Sequence, residues 1–136
     1  MKKEILLGLT LLSFNTNAVE NPGVDTRCFI SMDNKIKMRL LTVAAKEWGG
    51  GYVQYGEKKS KISIVETKES EEILLEGRPA IVDEEWVEVV DGNINGKYHF
   101  TYQGAIFDKI EYINKKGVKF QFKQADHDYD DCFSNK

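Results

Sequence analysis

Apolar and polar residues alternate with a period of two along most of this chain. Tyr98, Phe100 and Tyr102 fall on one side of an extended segment, and Lys97, His99 and Thr101 on the other, as in a strand with one buried face. Val118, Phe120 and Phe122 repeat the pattern against Lys119, Gln121 and Lys123. Ile106 to Ile113 forms a strand before them, and Asn114 to Gly117 supplies the turn between. Upstream, Tyr52 to Tyr55 and Ile62 to Val65 flank Gly56-Glu57-Lys58-Lys59, a hairpin with a polar loop. Trp86 to Val90 runs into Asp91-Gly92, a strong two-residue turn signal. Asn95-Gly96 competes as the turn, and strand register depends on which is used. Ile73-Leu74-Leu75 is a short apolar piece ended by Gly77-Arg78-Pro79, where proline removes a ladder donor. Thr67 to Glu72 is charged enough to be expected at the surface.

Residues 35–48 carry two periods at once. Ile36, Met38 and Leu40 alternate as a strand does, yet Ile36, Leu40, Val43 and Ala44 also stand at helical spacing, with Asn34 as a cap and Gly49-Gly50-Gly51 as a stop. The β character of everything downstream favours the strand. Residues 19–27 hold Asn21, Pro22, Gly23 and Asp25 with little apolar content and read as a flexible lead-in, leaving 28–136 as one β domain. The fold class is mainly β: one antiparallel meander of about seven or eight strands, closed as a small barrel or folded as a sandwich.

Residues 1–18 match a secretory signal peptide. Lys2 and Lys3 precede an apolar stretch from Ile5 to Phe14, and Thr16-Asn17-Ala18 supplies small residues for cleavage. The stretch is too short for a transmembrane helix, which needs about 20 residues. Export implies a periplasmic or secreted protein of bacterial type. In that oxidising setting the two cysteines, Cys28 and Cys132, are expected to form a disulfide. The net charge is −3, and the leader holds two Lys and one Glu, so the mature domain is one unit more negative. Scattered Lys on an acidic chain argues against nucleic acid or an anionic membrane as partner.

Catalytic groups are thin. His99 sits on the polar face of a strand and His127 in an acidic tail, and no nucleophile elbow, His-Glu-x-x-His or Cys-x-x-Cys is present. Glu84 or Glu85 beside Trp86 is the one conceivable catalytic pair, and solvated surface carboxylates are the commoner meaning of such a pair. No enzymatic activity and no cofactor are expected. Asp126, Asp128 and Asp130 alternate as at the start of a calcium loop, but Asp131 replaces the turn glycine and no closing glutamate follows. The tail therefore reads as solvated acid or a contact for a basic partner, and no metal is assigned. The aromatic set Tyr98, Phe100, Tyr102, Tyr112, Phe120 and Phe122 is either core or the wall of a ligand cavity. Gly49-Gly50-Gly51 with Trp48 and Tyr52 is either a loose turn or an exposed aromatic loop suited to recognition.

The runs Gly51-Tyr52-Val53-Gln54-Tyr55, Gly77-Arg78-Pro79, Trp86-x-Glu88, Gly96-Lys97-Tyr98 and Gln103-Gly104-Ala105 resemble a group of uncharacterised exported bacterial β domains. In architecture the chain is also similar to periplasmic lysozyme inhibitors and to immunity proteins of bacterial toxins. Export, compactness, absent catalytic groups and mild acidity point to an envelope protein-binding module, most concretely an inhibitor or immunity protein acting on a lysozyme-like hydrolase or toxin. Trp48, Tyr52, Asp128 and Asp130 are then the contacts, the aspartates steering a basic enzyme and the rings supplying affinity. The alternative is a small β-barrel that binds an apolar small molecule or lipid.

Overall fold

The computed structural model describes residues 22–125 and 131–134. Eight strands follow one another around a closed barrel: β1 (Gly23–Ser31), β2 (Lys37–Ala44), β3 (Gly49–Gln54), β4 (Ile62–Glu72), β5 (Ile81–Val90), β6 (Asn93–Gln103), β7 (Ile106–Ile113) and β8 (Lys119–Gln124). Every neighbouring pair is antiparallel, and β8 returns to β1 through Phe29↔Gln124, Ile30↔Lys123 and Ser31↔Phe122. The meander is thus a barrel and not a sandwich. The signal-peptide segment and Asp128 and Asp130 lie outside the described residues.

Period two fixes what faces inward. Phe29, Met38, Leu40, Val53, Ile64, Trp86, Tyr98, Phe100, Ile110 and Phe122 form one buried cluster. Cross-strand partners share a face, so the pairs Phe29↔Met38, Leu40↔Val53, Trp86↔Tyr98 and Phe100↔Ile110 carry that cluster around the wall. The aromatic set read from the sequence is this interior, with Phe120 at its partly exposed margin.

Two local expectations change, and two open choices are decided. β1 begins at Gly23, inside the stretch read as a lead-in, because residues 23–27 pair with 40–44 of β2. Residues 37–44 are a strand, and Gly49-Gly50-Gly51 is neither a helix stop nor a loop but the start of β3. A Cβ on Gly51 would overlap the Leu41 carbonyl, so only glycine lets β2 and β3 approach there. The turn after β5 is Asp91-Gly92, both with positive φ (50° and 76°) and joining the pair Val90↔Asn93. Gly96 lies within β6, where the Tyr112 ring covers it closely enough that a Cβ would stand 2.6 Å from Cε2.

Cys28 and Cys132 form the expected disulfide, with Cα atoms 5.1 Å apart across 104 residues. Both cysteines are buried on the outer side of β1, and the Ala125 amide donates to the Cys28 carbonyl at 3.0 Å. No described helix is long and apolar enough to cross a membrane.

Candidate functional site

The hairpins β2–β3, β4–β5 and β6–β7 turn at the same barrel end, where β1 also begins. A cavity of about 630 Å³ opens there and runs inward between Leu40, Trp86, Phe100, Tyr102 and Phe107. That volume suits a small organic ligand. Its aromatic wall is mutually braced: Trp86 and Phe100 have centroids 6.1 Å apart, and Tyr102 stacks on Phe107 at 4.9 Å.

Carboxylates stand at this opening, Glu66 and Glu84 half-buried and Glu69 exposed. β4 points Ile62, Ile64 and Glu66 inward, and an irregularity between Glu66 and Lys68 then sets Glu69 opposite Glu84 of β5. Oxygens of Glu66, Glu69 and Glu84 lie within 4.8 Å of one another. Glu84 is anchored by two donors, the Trp86 indole Nε1–H at 2.8 Å and the Tyr102 hydroxyl at 2.5 Å. Burial, the charge of Glu84 and a hydrogen bond with Glu69 together push the Glu66 carboxyl up to about 7. Burial and its bond to Glu84 likewise raise the Tyr102 phenol, which stays a donor. Glu66 Oε1 is buried without a hydrogen-bond partner among the described residues. Gly49, opposite on β3, leaves the space that the Glu66 carboxylate and the Trp86 ring occupy. Arg27 closes the wall by donating to Asp25 at 2.6 Å and to the Ala105 carbonyl at 2.8 Å, its guanidinium 4.7 Å from the Phe107 ring centre. This arrangement can hold a positive charge against aromatic faces, or share a proton between carboxyls.

A second buried carboxylate serves packing. Glu88, 2% exposed, accepts from Asn95 Nδ2 at 3.3 Å and from the Tyr98 hydroxyl at 3.4 Å. Tyr112 also hydrogen-bonds to it, and the Tyr55 and Tyr98 hydroxyls meet.

The contacts expected from sequence divide. Trp48 is 60% exposed and lines the mouth of the cavity. Tyr52 lies on the outer face of β3 with the Lys61 ammonium 4.7 Å over its ring, so the two do not converge. Of the glutamates beside Trp86, Glu85 is on the outside, 3.6 Å from Lys97, whereas Glu84 is within the barrel. His99 is outside, 3.4 Å from Asp83. Residues 67–72 are exposed as expected, Glu69 among them, whereas Glu66, just before that stretch, escaped the sequence reading. The available signal was the phase: Ile62, Ile64 and Glu66 are one inward series. Comparison with protein-family models, curated proteins and solved structures finds no match to this chain.

Proposed function

We propose that the protein is a small exported binding barrel that holds an apolar-bodied ligand in the cavity between Leu40, Trp86, Phe100, Tyr102 and Phe107. The observation that carries this reading is an aromatic-walled space of about 630 Å³, open at one barrel end beside the buried cluster. Eight strands give a barrel just wide enough to hold one small molecule. Export to the periplasm or beyond belongs to the same reading, supported by the leader pattern and by the disulfide. The role is binding rather than catalysis. Native mass spectrometry of protein purified without detergent tests it: a small-molecule adduct is expected on the native protein and not on Thr42→Trp, which plugs the mouth. An adduct retained by that variant would place the ligand elsewhere.

A second reading, the envelope inhibitor or immunity protein, is favoured by a different observation. Ile73, Leu74 and Leu75 are 72%, 59% and 60% exposed in the β4–β5 loop, at the same barrel end as Trp48. Three adjacent bare aliphatics beside an exposed indole suit a hot spot for a protein partner. Inhibition of peptidoglycan lysis by a purified lysozyme, relieved by Leu74→Asp and by Trp48→Ala, is its expected signature. Lysis that proceeds undiminished at saturating protein would remove lysozymes as targets.

A further inference from the structure

We propose that the ligand of this cavity is an organic monocation: an ammonium group held among Glu66, Glu69 and Glu84, carried on an apolar body that lies against Trp86, Phe100 and Tyr102. The inference rests on reading the cavity as a ligand site and adds the charge and shape of its occupant.

Three features select that chemistry. The first is unbalanced charge. Among the described residues no ion pair reaches Glu66, Glu69 or Glu84, and Arg27, the base on the cavity wall, is already taken by Asp25 and the Ala105 carbonyl. Lys46 and Lys68 are exposed at the rim. An anionic or neutral ligand would leave the Glu84 carboxylate enclosed without a counter-charge. The second is geometry. Glu66, Glu69 and Glu84 each offer an oxygen, all within 4.8 Å of one another, so one ammonium nitrogen can reach more than one of them. Glu66 Oε1, buried and without a partner, is a vacant acceptor among them. The third is the wall. A hydrated metal ion gains nothing from indole and phenyl faces, whereas an alkylammonium is attracted by them and buries its carbon body there.

Burial first, and then the charge of Glu84, push the Glu66 carboxyl up to about 7. The groups facing it are Glu69 on its own strand, Glu84 on β5, Tyr102 on β6, Asp25 and Arg27 on β1, and Lys46 and Glu47 in the β2–β3 loop. A bound cation replaces the Glu66 proton, so affinity falls as pH is lowered from about 8 to about 6.

The test uses three probes with one body and three charges: 2-(1-naphthyl)ethylamine, 2-(1-naphthyl)ethanol and 1-naphthylacetate. Each is titrated into the oxidised Trp48→Phe protein, so that Trp86 fluorescence alone reports. The amine is expected to bind at least about tenfold more tightly than the alcohol, with the acetate weakest. Glu84→Gln and Glu66→Gln should remove the amine's advantage and leave alcohol binding in place, which also shows that the variants remain folded. Equal binding of amine and alcohol, or preference for the acetate, overturns the charge assignment while the ligand-binding reading stands. Quenching by calcium or magnesium ions but not by the amine assigns the carboxylates to a metal and overturns it as well. No response to any probe at millimolar concentration would overturn the cavity reading itself.

Discussion

Glu66 and Glu88 sit on adjacent strands inside one barrel, and their surroundings give them different work. Glu88 meets two phenols and an amide, so its charge is solvated by protein. Removing the carboxylate takes an acceptor from Asn95, Tyr98 and Tyr112, and Glu88→Ala should cost about 2–4 kcal/mol in urea unfolding. Glu88→Gln, which still accepts, should cost clearly less; equal losses would mean that volume, not hydrogen bonding, is what the site needs. Glu66 has no such shell. Its carboxyl titrates at 4.5 when unperturbed and at about 7 in the barrel. Between those values the folded state binds the proton more tightly, so this group favours folding at low pH and loses that contribution as pH rises through 7. Glu66→Gln should therefore melt above the native protein at about pH 8, with the difference closing toward pH 5. A difference that does not vary with pH would sink the assignment. Neither role was legible from composition. A glutamate in a charged run looks solvated until its phase against Ile62 and Ile64 is counted, and Glu88 looks like an ordinary surface carboxylate until its phase with Trp86 is counted, which sets it opposite the inward Ile64.

Strand identity was far more visible, because period two is imposed by the backbone and survives any change of partner. Tyr98, Phe100 and Tyr102 declared their face outright, whereas Asp91-Gly92 and Asn95-Gly96 were equally open as the turn, and the positive φ values at Asp91 and Gly92 decide it. Residues 35–48 were ambiguous because Ile36 and Leu40 fit both periods; over 37–44 the neighbouring strands decide, supplying ladder partners on both sides. The glycine triplet misled for a related reason. Glycine usually marks freedom of the chain, but here it marks crowding between elements. Gly51→Ala should push β3 off β2 and destabilise by about 2 kcal/mol or more. Gly77→Ala in the β4–β5 loop meets no atom within 4 Å and pays only for its φ of 82°, about 1 kcal/mol. Thermal melts of the two variants compare these costs directly, and a milder Gly51 variant would show that the strands can part.

At the scale of the molecule, the cysteine count limited the chain to one possible pairing, and the structure has that disulfide. Whether the meander would close as a barrel depended on strand tilt and stagger, which no single segment records. The disulfide spans 104 residues, and in the chain-entropy account its loss should lower stability by about 4–5 kcal/mol. Urea titration of the oxidised protein against the double variant Cys28→Ser, Cys132→Ser measures this; a loss under 1 kcal/mol would show that the ends are held by other contacts.

The join between β1 and β8 has three residue pairs, fewer than any other in the wall, and Cys28 stands immediately before its first residue. All other pairings link strands consecutive in the chain and can zip locally, whereas this one waits for the two ends of the domain to meet. With the crosslink cut, the barrel can unroll along that line into a sheet with two bare edges, each complementary to the other. A second molecule offers the same edges, so at high concentration the reduced protein should exchange terminal strands and run as a domain-swapped dimer. The disulfide then acts as the latch that keeps this closure within one molecule.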